Sequence, residues 1–234
     1  QDNQPTAQIY RVTTDNRFPY HLYGSQQDQG VVATSSRPTS GDEGFFNDFY
    51  PVGGWERAHV ALNAEDPRLV YSSANNISLT EFDRETKRVR RLNPYPQYTL
   101  GLDTRDHKYR ATWSPPVIVS SHDPSIIYYG TNKLLRSSDR GHTWAEISPD
   151  LTKNDDEKHG KMGGPLTNEL DGDAYNTIFY ISESPHDAGT IWVGTDDGLV
   201  HITHDGGDNW ENVTPRGVGE AFINAIEVSP HDPA

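Results

Sequence analysis

The chain has no cysteine, so disulfide bonds and thiolate metal sites are excluded. Long apolar runs are also absent. Nothing approaches the roughly 18 residues of a membrane-spanning helix, and Gln1 is followed by polar residues rather than by a signal peptide pattern. Basic residues are scarce, 20 against 34 acidic ones, which gives a net charge of −14. We therefore expect neither membrane insertion nor a nucleic acid partner.

The residues that are plentiful indicate short strands and turns. Only 33% of the 234 residues are hydrophobic, whereas glycine (20), proline (16), tyrosine (12) and tryptophan (5) are frequent. Glycine and proline mark tight turns, and aromatic residues favour strands. This composition predicts an all-β chain, long enough for a stable core.

One turn motif, Ser/Thr-x-Asp-x-Gly-x-Thr/Asn-Trp, occurs twice in the sequence. In such a turn the aspartate accepts backbone hydrogen bonds, glycine supplies a positive φ, and tryptophan buries a large ring where the next strand begins. Because repeated elements belong mostly to the scaffold, we predict a structural role for both copies. Their residues are Ser137, Asp139, Gly141, Thr143 and Trp144, and Thr203, Asp205, Gly207, Asn209 and Trp210.

A second repeated turn has the pattern Ser-x-His-Asp-Pro. It occurs at 120–124, 184–187 and 229–233, with a weaker copy at 63–67. An apolar strand precedes each turn. After 120–124 and 184–187, a second strand, a short polar turn, a third strand and the Asp turn follow, whereas a plain hairpin at 82–86 replaces the Asp turn in the unit that begins near residue 63. The unit is therefore a four-stranded meander, A to D. Because their positions repeat, His122, His186 and His231 are predicted to be turn residues. We expect no metal site and no cofactor.

These units predict a β-propeller of four-stranded antiparallel blades. The expected blades cover 6–50, 56–93, 113–150 and 175–215, and residues 220–234 are expected to form the first strand of a further blade. Residues 1–234 are thus interpreted as one partial propeller domain. Its expected partners include the remaining blades of the same propeller, or a partner chain.

The two Asp turns, the run 194–207 and the opening segments 10–20 and 23–28 resemble the BNR/Asp-box repeat propellers. They are most similar to the bacterial sortilin-like proteins labelled glycosyl hydrolases by analogy, and the resemblance covers essentially the whole chain. It implies a secreted or cell-envelope protein, periplasmic or associated with the outer membrane, with seven or more blades. The resemblance specifies the fold rather than an activity, because sialidases, xyloglucanases and sortilin receptors all carry Asp boxes.

Ligands are expected on the face formed by the B–C turns and the D–A connections, because the Asp turns and the Ser-x-His-Asp-Pro turns share the opposite face. Two D–A connections, about 93–113 and 150–175, are unusually long. The first is rich in aromatic residues and arginine, which favours binding, whereas the charged stretch 153–160 of the second is also typical of a solvated loop. The predicted ligand-binding residues are Gln26, Gln27, Asp28, Trp55, Glu56, Tyr109, Arg110, Trp113, Asp196 and Asp197.

Three functions fit this face. The first is a binding module for a peptide, a protein or a glycan, since aromatic rings stack on sugars while carboxylates accept hydroxyl hydrogen bonds. The second is a xyloglucanase-like glycoside hydrolase that uses two carboxylates, although the sequence selects no pair. The third is a structural subunit of a cell-envelope assembly. The candidate catalytic carboxylates are Asp28, Glu56, Asp171, Asp173, Asp196 and Asp197.

Overall fold

Sixteen strands form four separate antiparallel sheets in the computed structural model, which describes residues 7–37, 49–74, 77–97, 99, 102–160 and 174–232. Strands that follow each other in sequence are neighbours in each sheet. The helical elements of the described residues are two short 3-10 turns, Thr104–Asp106 and Asp156–Lys158. The predicted all-β propeller of four-stranded meander blades is therefore confirmed.

The four sheets follow one another along the chain. Blade 1 contains β1 (Ile9–Thr14), β2 (His21–Gln26), β3 (Val31–Ser35) and β4 (Tyr50–Pro51). Blade 2 contains β5 (Val60–Leu62), β6 (Leu69–Ala74), β7 (Ser78–Asp83) and β8 (Val89–Arg91). Blade 3 contains β9 (Val117–Val119), β10 (Ile127–Gly130), β11 (Leu134–Ser137) and β12 (Ala145–Glu146). Blade 4 contains β13 (Ile178–Glu183), β14 (Ile191–Thr195), β15 (Val200–Thr203) and β16 (Glu211–Asn212).

The hydrophobic core is divided into three clusters, and each cluster lies between two consecutive blades. Strand β10 contributes side chains to two of these clusters. Ile127 and Tyr129 pack towards blade 2, whereas Tyr128 packs towards blade 4. Successive side chains of a strand point to opposite faces of its sheet. The central blades are therefore apolar on both faces, and the blades stack side by side around a common axis.

The two Asp turns have the same hydrogen bonds. Asp139 Oδ1 accepts from Thr143 N at 2.8 Å, and Ser137 Oγ accepts from Gly141 N at 2.7 Å. In the second copy Asp205 Oδ1 accepts from Asn209 N at 2.9 Å. A carboxylate that accepts backbone N–H groups closes the turn without help from a ligand.

Two repeated contacts join one blade to the next. Trp144 Nε1 donates to Leu92 O of the preceding blade at 3.0 Å, and Trp210 Nε1 donates to Ile147 O at 2.9 Å. In the opposite direction, the imidazole of His122 lies 2.8 Å from Ser184 O, where its Nε2 can only donate. Both repeated motifs are therefore used to attach blades to each other.

The Asp turn of blade 4 predicts a measurable pH dependence. Hydrogen bonds from Asn209 and Thr203 lower the pKa of Asp205 to about 2, below the roughly 3.9 of an unfolded chain. A depressed pKa stabilises the folded state above the unfolded value, and this contribution is lost as the pH falls towards 2. We expect the side-chain carboxyl carbon of Asp205 to titrate with a midpoint near pH 2 in an NMR experiment. A midpoint near 4 would contradict the observed turn.

Residues 220–234 are the segment expected to form the first strand of a further blade. No strand is formed in the described part of 220–234, which ends at residue 232. Ile223 N donates to Thr195 O at 3.0 Å, and the ring of Phe222 lies 5.1 Å from that of Phe179. A single backbone bond does not make a ladder, so the segment packs beside blade 4 without extending a sheet. The limits assigned to the blades stay a prediction.

No helix in the described ranges has the length and apolar character needed to cross a membrane.

Candidate functional site

The two faces of the propeller are distinguished by the turns that meet there. Within blade 3, Arg140 N of the C–D turn donates to Ser125 O of the A–B turn, at 3.0 Å. Within blade 4, Gly206 N donates to Gly189 O, at 2.9 Å. The B–C turns and the D–A connections lie at the opposite ends of the strands. We name this second side the loop face, and its B–C turns carry Asp28, Asn132 and Asp197.

An open cavity of about 420 Å³ lies on the loop face of blade 1. Its lining includes Asp28 from the β2–β3 turn and Trp55 and Glu56 from the connection to blade 2. Trp55 is 58% exposed. A large exposed ring beside two carboxylates combines an apolar platform with hydrogen-bond acceptors. We call the group Gln27, Asp28, Trp55 and Glu56 the Trp55 site.

Backbone geometry explains why these residues meet. Asp28 has a φ of 58°, a left-handed conformation that aspartate tolerates in a hairpin turn. On the other side, Gly54 has a φ of +70°, and a Cβ there would lie 2.5 Å from Val31 Cγ2. Only glycine allows the connection to pack so closely on β3. The connection therefore presents Trp55 directly beside the β2–β3 turn.

The two carboxylates of the Trp55 site share one amide. Gln27 Nε2 donates to Glu56 Oε2 at 2.7 Å and to Asp28 Oδ1 at 3.0 Å. The backbone N–H of Asp28 also donates to Glu56 Oε2, at 2.8 Å. Glu56 Oε2 and Asp28 Oδ1 are therefore no farther apart than the sum of their two distances from Gln27 Nε2. Gln27 fixes both acids in one place, and Asp28 remains exposed to solvent.

Two residues next to the Trp55 site, Tyr10 and Arg57, are not among those predicted from the sequence. The Arg57 guanidinium lies over the rings of Tyr10 and Trp113, 5.3 and 5.1 Å from their centres. The hydroxyl of Tyr10 donates to Gln27 Oε1. These contacts connect Trp113, a predicted ligand-binding residue, to the site through Arg57. The position of Arg57 directly after Glu56 was the available signal in the sequence.

Arg110 and Tyr109, also predicted to bind a ligand, are both buried in the connection between blades 2 and 3. Arg110 Nη2 donates to Asp150 Oδ2 at 2.7 Å, and Tyr109 donates its hydroxyl hydrogen to Glu146 Oε1 at 2.8 Å. Burial alone would raise the pKa of Asp150, but hydrogen bonds from Thr152 and Asn132 and the charge of Arg110 hold it below its ordinary value. These contacts hold the connection in place, and neither Tyr109 nor Arg110 lines the cavity of the Trp55 site.

Asp196 and Asp197 are also buried, with 3% and 0% exposure. Asp196 accepts from Thr177 N at 2.9 Å and from Thr177 Oγ1 at 2.7 Å. Asp197 accepts from Thr195 Oγ1, from Lys153 N and from Asn176 Nδ2 at 2.5, 2.7 and 2.6 Å. Their carboxylates are occupied by the protein itself, so neither is placed to meet a substrate.

Among the described residues, the remaining predicted ones add no second site. Gln26 contributes its backbone, which accepts from Gln29 N at 3.1 Å and closes the β2–β3 hairpin. Asp171 and Asp173 lie outside the described residues. Within the part of the chain that the structure describes, no group of three or more His, Cys, Asp or Glu side chains could hold a metal ion. The Trp55 site is the place where predicted ligand-binding residues converge on an open cavity.

Comparison with known proteins gives one curated relative. No family model matches the chain. A probable oligoxyloglucan-reducing end-specific xyloglucanase from Neosartorya fischeri is 27% identical over 166 residues. The match covers 66% of this chain but 17% of the relative. The chain therefore spans less than a fifth of the curated relative that it matches.

Solved structures support the fold. The GH74 xyloglucanase from Xanthomonas campestris is similar with a TM-score of 0.52 and 18% identity, over 86% of this chain and 28% of that enzyme. An ancestral GH74 enzyme is similar with a TM-score of 0.58 and 12% identity, over 91% of this chain and 25% of that enzyme. At such low identities the similarity shows the β-propeller fold alone.

Proposed function

We propose that this chain belongs to an exported Asp-box propeller that binds a glycan on its loop face, at the Trp55 site. The observation that carries the proposal is the exposed ring of Trp55 beside the carboxylates of Asp28 and Glu56 in one open cavity. Sugar rings offer apolar faces for stacking and hydroxyl groups that donate to carboxylates. A glycan therefore fits this site better than the peptide or protein ligands that the sequence leaves open.

Two further observations support this assignment. The repeated aspartates close both turns with equivalent hydrogen bonds, as expected of Asp boxes. The similar proteins are named as xyloglucanases, which act on a glycan. Membership of the sortilin-like group and export from the cell are parts of the proposal that follow from the sequence resemblance.

The proposal predicts that Trp55→Ala weakens glycan binding. Loss of a central aromatic contact should cost about 2 kcal/mol, or roughly 30-fold in Kd. Isothermal titration calorimetry with xyloglucan and cellulose oligosaccharides measures the Kd of each variant directly. Tyr20→Ala is the matched control, because Tyr20 is a similarly exposed aromatic residue at the β1–β2 turn of the opposite face. Equal affinity of Trp55→Ala and the unmodified protein for every glycan that binds would overturn the proposal.

A glycoside hydrolase is the second candidate, and one observation favours it. Because Asp28 and Glu56 share the amide of Gln27, their separation is compatible with the roughly 5 to 5.5 Å of retaining glycosidases. Reducing-sugar release from xyloglucan separates the two functions. A binding module gives no release, whereas a hydrolase gives release that both Asp28→Asn and Glu56→Gln abolish while oligosaccharide binding persists.

A further inference from the structure

A second cavity, of about 330 Å³, lies at the centre of the four blades. The innermost strand of every blade contributes to its wall, so the cavity is on the propeller axis rather than at the Trp55 site. Its polar groups include those of Arg11 and Thr13 of β1, His59 before β5 and Tyr180 of β13, and its apolar wall includes Val60, Val117 and Ile181. None of these residues is used by the proposed glycan site.

Arg11 brings a positive charge into this cavity without a matching carboxylate. Its guanidinium lies 5.6 Å from the centres of the Phe179 and Tyr180 rings, and Nη1 donates to Asn224 O at 3.3 Å. No carboxylate oxygen of the described residues forms an ion pair with it, although the chain contains 34 acidic residues. Burial lowers the pKa of Arg11 from its ordinary value, with Tyr180 opposing that shift. Arginine nevertheless stays protonated, so the cavity carries a positive charge.

His59 adds an unused hydrogen-bonding group to the same cavity. The residue is 8% exposed, and its Nε2 has no partner. Its backbone is fixed, because His59 N donates to Ser73 Oγ at 3.0 Å and His59 O accepts from Ser73 N at 3.1 Å. Burial, and then the charge of Arg11, lowers the pKa of His59 well below its usual range. The ring is therefore neutral, and its Nε2, a donor or an acceptor according to the tautomer, is buried without a partner, which is costly.

We propose that this central cavity binds a small organic carboxylate, whose oxygens accept from the Arg11 guanidinium and from the Nε2–H of His59. A carboxylate supplies the negative charge and the acceptors that both side chains lack. The apolar wall of Val60, Val117 and Ile181 suits a compact aliphatic or sugar body, and the cavity volume limits the ligand to a small molecule.

The test uses hexanoate as an aliphatic acid, glucuronate as a sugar acid and hexanamide as the uncharged analogue of hexanoate. Imidazole nitrogen NMR of the whole chain follows Nε2 of His59, with the resonance assigned through His59→Gln. We expect saturable movement of this resonance with at least one acid and none with hexanamide. The acid that binds more tightly shows whether the carboxylate of the ligand is attached to an aliphatic chain or to a sugar.

Substitution of Arg11 completes the test. Arg11→Met should weaken binding of the responding acid at least 30-fold, roughly the effect of losing a charge-assisted hydrogen bond, whereas Arg11→Lys should retain part of it. Arg91→Met is the matched control, since Arg91 is an exposed arginine of β8. The proposal is overturned if neither acid moves the His59 resonance in the unmodified protein, or if Arg11→Met binds the acid as well as Arg91→Met does. Trp55→Ala should leave acid binding unchanged, which separates this site from the glycan site.

Discussion

Asp197→Asn lowers the free energy of unfolding by about 3 kcal/mol, because three donors then face an amide instead of a carboxylate. The donors are Thr195 Oγ1, Lys153 N and Asn176 Nδ2, and the carboxylate is fully buried. An asparagine oxygen can serve some of them, but its NH2 group must lie against another donor. Urea denaturation followed by circular dichroism measures the loss.

Asp28→Asn is the matched control for this prediction. Asp28 occupies the corresponding B–C turn of blade 1, is exposed, and accepts from the flexible side chain of Gln27. Asparagine also tolerates the positive φ found there. The urea midpoint of Asp28→Asn should equal that of the unmodified protein. Equal midpoints for both variants would show that the carboxylate of Asp197 is not required by the fold, and would restore it as a candidate functional acid.

Trp144→Ala should cost about 3 to 5 kcal/mol of unfolding free energy, the usual range for truncating a packed tryptophan. The ring packs on the core cluster between blades 2 and 3 and meets the Tyr129 ring edge-on at 6.1 Å. Its Nε1–H also donates to Leu92 O of blade 2. Removal therefore creates a cavity and leaves a backbone carbonyl without its partner.

Two further variants separate these contributions. Trp144→Phe keeps most of the ring and should cost about 1 kcal/mol for the lost hydrogen bond together with a smaller packing loss. Trp55→Ala removes an exposed tryptophan and should leave stability unchanged. Circular dichroism is the appropriate signal, because tryptophan fluorescence changes with every variant. A Trp144→Ala chain as stable as Trp55→Ala would show that the ring does not hold the blades together.

The repeats allowed the four-stranded blades to be predicted because each meander is specified by local residues. Alternating apolar positions and turn residues belong to each unit's own sequence, the Asp turn adds to them in blades 3 and 4, and none of these signals needs information from elsewhere in the chain. The segment after residue 220 has the same strand-like pattern, yet it forms no ladder in the described residues. A strand depends on a hydrogen-bonding partner, and local sequence does not supply one.

The candidate site was harder to predict, because B–C turns at equivalent positions in different blades are covered by different segments of the chain. Asp28 and Asp197 occupy the same turn of different blades and are indistinguishable by position. The backbone of Lys153, from the preceding connection, covers Asp197, whereas Asp28 remains open beside Trp55. Such contacts join residues far apart in sequence. Arg57 and Tyr10 were missed for the same reason, since their contacts cross from one blade to another.

The bond from each Asp-turn tryptophan to the preceding blade has a consequence for how such molecules grow during evolution. Trp144 and Trp210 both donate to a backbone carbonyl, a group that every residue offers whatever its side chain. A duplicated unit therefore brings the tryptophan donor with it, and this hydrogen bond needs no matching side chain in the neighbouring blade. This hydrogen bond between blades is therefore retained when a unit is duplicated, whichever side chain the neighbouring blade carries at that position.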